Sequence, residues 1–164
     1  MKKLILFLFI GFYAVGYSQK TLSTLLKQHN TGHIPYMTVE MLSKKNDNIA
    51  ILDAREQNEY NVSHLKNAIF VGYNHFNLAK TSQQLTNKQQ PIVVYCSLGV
   101  RSEDIAEKLK KAGYTAVFNL YGGIFEWKNK GFSVVDLQNK ETQKVHAYSK
   151  NWGKWLLKGE KIYD

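Results

Sequence analysis

The chain has 164 residues, 44% hydrophobic and 21% charged, a balance that suits one globular domain and excludes a disordered polymer. A single cysteine excludes an internal disulfide and any multi-cysteine zinc site. The formal charge of +9 comes from lysines scattered along the chain; it reads as a solvated basic surface, and no nucleic-acid motif accompanies it.

Met1-Lys2-Lys3 and the apolar run Leu4 to Tyr17 read as a secretory signal peptide, residues 1–18, cleaved after Ser18. At 14 residues the run is shorter than the roughly 20 needed to span a bilayer. The expectation is a periplasmic or secreted bacterial protein with no stable membrane insertion; a retained anchor is the alternative. Residues 19–36 form a lead-in, with Leu22, Leu25 and Leu26 at helical spacing before the break at Asn30-Thr31-Gly32. Thr38 is placed to cap a helix over 39–45 with Met41 and Leu42 facing inward. Ile49 to Leu52 is a buried strand ending at Asp53. A helical turn over 56–60, a strand over 68–71 and a helix over 76–84 follow. Pro91 opens the strand Ile92-Val93-Val94-Tyr95, which ends on Cys96, and Ser102 to Gly113 has a helical pattern. A strand over 116–120, the Gly122-Gly123 turn, a helix over 124–130 and an extended end at 131–135 complete the unit.

Short apolar strands alternating with helices over residues 37–136 predict an α/β domain, a parallel sheet with helices on both faces. Ligands in such sheets bind at the carboxyl ends of the strands, where Asp53 and Cys96 both fall. In the tail, residues 137–164, the side chains Val145, Tyr148, Trp152, Trp155 and Leu156 share one helical face. That predicts a C-terminal amphipathic helix packed on the domain, with partner docking or a membrane surface as alternatives. His146 and the tryptophans are also candidates to roof the thiol pocket.

The loop Cys96-Ser97-Leu98-Gly99-Val100-Arg101-Ser102 concentrates the chemistry. The thiolate is the reactive form of cysteine. A loop that opens a helix supplies unpaired N–H groups and the positive end of the helix dipole. Gly99 lets the amides turn inward as an anion-binding nest, Arg101 adds a fixed positive charge, and Ser102 is placed to cap the helix. These parts suit a thiolate, or a small anion just above one.

The same run resembles the active-site loop of the rhodanese-like sulfurtransferases, C-x-x-G-x-R-S. Leu52-Asp53-Ala54-Arg55-Glu56 through Glu59-Tyr60, His64 and Ala68-Ile69 is similar to a second stretch of that family, and Asn119-Leu120-Tyr121-Gly122-Gly123-Ile124 with Trp127 and Gly131 to a third. Ser63 departs from the glycine usual before the histidine. The resemblance implies that Cys96 accepts sulfur and that Arg101 and the loop amides of Ser97, Leu98, Gly99, Val100 and Ser102 bind the substrate anion. Four residues separate Cys96 from Arg101, where related phosphatases carry five.

Asp53 and Arg55 are expected to pair with each other, with Glu59 or with nearby backbone and so fix a loop, and His64 to hold the turn before Ala68. Removing Arg101 is expected to cost little stability, as for an exposed loop arginine. The expected function is sulfur transfer from a small sulfur-containing anion such as thiosulfate, through a Cys96 persulfide, to a thiol, cyanide or a protein cysteine. No cofactor, metal or nucleic acid is called for. The alternatives are a non-catalytic binding or redox-sensing module using the same thiol, and a phosphatase.

Overall fold

The computed structural model describes residues 21–44 and 48–164; the signal-peptide reading of residues 1–18 lies outside them. The elements run α1 (Leu22–His29), β1 (Tyr36–Met37), α2 (Val39–Ser43), β2 (Ala50–Asp53), α3 (Gln57–Val62), β3 (Ile69–Phe70), α4 (Leu78–Gln84) and β4 (Ile92–Tyr95). They continue with α5 (Arg101–Lys111), β5 (Val117–Leu120), α6 (Gly123–Asn129), β6 (Val134–Val135), β7 (Glu141–Thr142), β8 (Lys144–His146), a 3-10 turn (Gly153–Trp155) and β9 (Glu160–Ile162). Among the described residues no helix is long and apolar enough to cross a membrane.

The main sheet has five parallel strands in the order β1-β5-β4-β2-β3, so β4 lies at its centre. All four residues of β4 are fully buried, and they alternate between two apolar layers. Val93 and Tyr95 face α1, α2 and α6; Ile92 and Val94 face α5 and the end of α4. β-branched side chains fit this pleated, doubly covered position, and each such side chain contributes about 1.5–3 kcal/mol by leaving water. The sheet covered on both faces is the architecture expected from the alternating pattern. Thr38 caps α2 by accepting a hydrogen bond from the Met41 amide at 3.2 Å. Met41 itself is exposed, not inward: in so short a helix Val39 and Leu42, three apart, define the buried side.

The tail is not the amphipathic helix its periodicity suggests. β8 pairs in parallel with β9, matching Val145 with Lys161 and His146 with Ile162. The chain between them turns through Tyr148 at φ 63° and the 3-10 turn. Gly159, at φ 96°, comes so close to the Gln143 carbonyl that a Cβ would sit 2.8 Å from its oxygen. Positive φ angles do not propagate a right-handed helix. The same apolar residues still reach the core, since Val145, Ala147 and Leu156 are fully buried in the layer that holds Tyr95. The tail end is tied down as well: Asn58 of α3 donates to an Asp164 carboxylate oxygen at 2.6 Å, and the His146 ring nitrogen Nε2 lies 3.2 Å from the same oxygen.

Candidate functional site

β4 delivers Cys96 to the carboxyl edge of the sheet, and the loop to α5 closes over it. The loop is shaped from behind. The Ile124 and Phe125 amides, at the start of α6, donate to the Cys96 and Ser97 carbonyls at 2.9 and 3.2 Å. The Gly99 carbonyl accepts from Asn30 and from Asn119, both at 2.8 Å. With these carbonyls held outward, the Gly99 amide is free to turn in and donate to Cys96 Sγ at 3.1 Å. Gly99 does this at φ 106°, a conformation open mainly to glycine. The contact with α6 needs glycine at 123, because a Cβ there would lie 2.2 Å from the Cys96 carbonyl oxygen.

Cys96 is 2% exposed. Burial, the largest influence, pushes its thiol up. Against this stand the Arg101 charge, the Ser102 hydroxyl and the backbone amides of Ser102 and Gly99, and together they bring the thiol below its ordinary value. Ser102 serves the sulfur, not the helix end: α5 begins at Arg101 with no side-chain cap. The Ser102 hydroxyl lies 3.5 Å from Sγ and 2.7 Å from Asn119 Oδ1. It has one proton to donate, so it can turn from Asn119 to the sulfur as the sulfur becomes charged.

Arg101 is not a freely exposed loop arginine. Its Nη1 and Nη2 donate to the two Glu59 oxygens at 2.7 and 2.8 Å, and Nη2 also donates to Ser97 Oγ at 3.0 Å. The Ser97 hydroxyl in turn donates to Glu59 at 3.1 Å. Burial raises the Glu59 carboxyl, but Arg101 and Arg55 outweigh it and hold Glu59 below the usual carboxylate range. The premise of an exposed loop arginine does not hold, because Arg101 is largely buried and neutralises a buried carboxylate.

A cavity of about 90 Å³ opens above the sulfur. Cys96, Ser97, Leu98, Val100 and Arg101 form its floor and sides, and Tyr148 and Trp152 of the tail form its roof. Of the candidates to roof the thiol, Trp152 does so, while Trp155 lines a separate groove and His146 lies aside with Asp164. A larger groove of about 510 Å³ shares Leu98 with this chamber, but the Cys96 thiol is not part of its lining.

The other site-adjacent residues build scaffold. Arg55 Nη2 donates to Asp53 at 2.7 Å and to the Ser63 carbonyl at 2.7 Å, and Tyr95 donates to Asp53 at 2.5 Å. All three side chains are fully buried. Ser63 stands at φ −172°, extended backbone that needs no glycine. His64 stacks on Tyr60 with ring centres 3.9 Å apart, and its backbone bridges to Val135. Among the described residues no group of three or more His, Cys, Asp or Glu side chains is arranged to hold a metal ion.

Two contributors escaped the sequence reading. Glu59 was counted with Asp53 and Arg55, yet its oxygens bind Arg101. Asn119 was counted as a strand residue, yet it donates to Gly99 and Glu103 and accepts from Ser102. Its signal was a polar side chain within the apolar strand Val117-Phe118-Asn119-Leu120 of the buried sheet, where burial demands partners.

Residues 38–130 match the family model of the Rhodanese-like domain. The chain is 34% identical over 97 residues to the thiosulfate sulfurtransferase GlpE of Coxiella burnetii, covering 58% of this chain and 85% of that relative. It is 37% identical over 97 residues to the tRNA uridine(34) hydroxylase of Aster yellows witches'-broom phytoplasma, covering 57% of this chain but 30% of that one. A crystal structure of a thiosulfate sulfurtransferase from Pseudomonas aeruginosa shares the fold, with a TM-score of 0.59 at 23% identity over 76% of this chain and 24% of that chain.

Proposed function

The chain belongs to the rhodanese-like domain family, and on that premise we propose that it is a sulfurtransferase in which Cys96 carries sulfur from a small sulfane-sulfur anion to an acceptor. The observation that carries the proposal is the 3.1 Å hydrogen bond from the Gly99 amide to Cys96 Sγ, inside a loop whose flanking carbonyls are turned away. That arrangement favours a thiolate and leaves room for an anion above it.

With thiosulfate as donor, the Cys96 thiolate attacks the outer sulfur. An S–S bond forms on Cys96, the S–S bond of thiosulfate breaks, and sulfite leaves with the electron pair. Cyanide or a thiolate then attacks the terminal persulfide sulfur and returns Cys96 to its thiolate. Loop amides and the Ser102 hydroxyl stabilise negative charge on sulfur in both steps. Arg101, held by Glu59, lines the chamber and supplies positive charge beside it.

Covalent transfer in two halves requires ping-pong kinetics. Parallel double-reciprocal lines for thiosulfate and cyanide are expected, with no turnover in Cys96→Ser. Intersecting lines, or a Cys96→Ser variant that turns over, would remove the covalent mechanism. Four residues between Cys96 and Arg101 support sulfur over phosphate chemistry. The leader-like start supports a site of action outside the cytoplasm, to be checked by fractionating cells that express the full chain.

The second reading is a sensor or binding module using the same thiol. The lowering of the Cys96 thiol favours it, since sensor thiols share that property, while the burial of the sulfur under the tail weighs against ready oxidation. Multiple turnovers with excess donor and acceptor would separate a transferase from a sensor that is modified once.

A further inference from the structure

We propose that Tyr148 and Trp152 are specificity determinants, an aromatic roof that limits the Cys96 site to small sulfur compounds and excludes thiols of peptide size or larger. The substrate class rests on the sulfur-transfer reading above; the size limit is a property of the roof and is tested apart from it.

The roofed chamber measures about 90 Å³. Pockets for drug-sized ligands run to about 300–1,000 Å³, so this one suits an inorganic anion of a few heavy atoms. Both roof residues come from the crossover between β8 and β9, beyond the matched residues 38–130. The roof therefore lies outside the residues that match the family model.

Tyr148 is held there at a cost. Its φ of 63° is unfavourable for a non-glycine residue, and the residue remains 49% exposed. Core packing does not explain such a placement. The contacts made by the ring do: it lies over the Arg101 guanidinium at 4.9 Å and meets Trp152 edge-on at 6.3 Å. The Tyr148 amide donates to His146 Nδ1 at 3.2 Å, which fixes the turn. Trp152 is braced on its other side by His29 of α1, with ring centres 6.2 Å apart. Buried Ala147 and Leu156 anchor the segment on either side of the roof. A lid attached at both ends does not swing away as a free terminus would.

Cys96 is the sole cysteine, so alkylation reports on one atom. The test compares the rates of a small reagent, iodoacetamide, and a bulky one, fluorescein maleimide, on the whole chain. The variants are Tyr148→Gly, Trp152→Ala and the pair. Tyr148→Gly removes the ring at a backbone angle glycine prefers, so the fold should persist, and an unchanged melting temperature checks this. In the double variant the rate with the bulky reagent, relative to the small one, should rise by about tenfold or more, with smaller rises in the single variants. With thiosulfate as donor, kcat/KM for glutathione relative to cyanide should rise in step. An alkylation ratio that stays within about twofold of wild type in the folded Tyr148→Gly protein overturns the roof. A shifted alkylation ratio without any sulfur transfer keeps the size limit and removes the sulfur-transfer reading instead.

Discussion

Arg101 holds Glu59 with both ends of its guanidinium, at 2.7 and 2.8 Å, although 42 residues separate them in the chain. The Arg101 side chain is 15% exposed and that of Glu59 2%. The pair ties the thiol loop to α3 and brings a positive charge to the sulfur without leaving it unbalanced. Removing one partner of a buried pair typically costs about 3–5 kcal/mol, because the other charge remains buried alone. Arg101→Ala should therefore lose stability in that range in urea titrations, and Glu59→Gln a similar amount. A loss under about 1 kcal/mol in both would put the pair among ordinary surface ion pairs.

The thiol has a pH signature of definite sign. Cys96 lies below its ordinary value, so its reaction with iodoacetamide should rise with pH to a midpoint below the free-thiol value of about 8.5. Stability linked to the thiolate is complete above the unfolded-state value and is lost as pH falls through the folded one. Ser102→Ala removes one of the groups that stabilise the charged sulfur, and should move the midpoint upward. A wild-type midpoint at or above that of a free thiol would contradict the electrostatics of the loop.

Gly123→Ala should damage the site from behind. The added Cβ would meet the Cys96 carbonyl at 2.2 Å, at a residue already at φ 54°. Overpacking and backbone strain together should cost about 2 kcal/mol or more. The melting temperature should fall, and alkylation of Cys96 should slow as the loop shifts. Wild-type values of both would mean that the loop does not depend on its contact with α6.

The tail should behave as part of the core. Leu156 is fully buried beside Val145 and Ala147, so Leu156→Ala should cost about 2–5 kcal/mol. Deleting residues 137–164 should lower the melting temperature further. An unchanged melting temperature after the deletion would mean that the tail packs without stabilising.

The sequence was informative wherever local pattern and tertiary role coincide. The β-branched run Ile92-Val93-Val94-Tyr95 after Pro91 reads as a buried strand, and the cysteine that ends it before Gly99, Arg101 and a helix marks the loop that the structure closes around the sulfur. The tail failed for a physical reason. Apolar spacing marks which side chains seek the core, and Val145 and Leu156 do reach it, but spacing does not fix the backbone path between them. The left-handed turn at Tyr148 and the parallel pairing of β8 with β9 are set by contacts made only in the folded chain. Arg101 was misjudged on the same ground, since nothing near residue 101 in sequence announces a carboxylate at 59. Asn119 shows the opposite case, a signal that was present as a polar residue in a buried strand and went unused.

The most direct test of sulfur transfer is the intact mass of the full chain after incubation with thiosulfate. Sulfur transfer through Cys96 requires one added sulfur, removed by cyanide and absent from Cys96→Ser. A wild-type mass that stays unchanged with thiosulfate and with other sulfane-sulfur donors would contradict it.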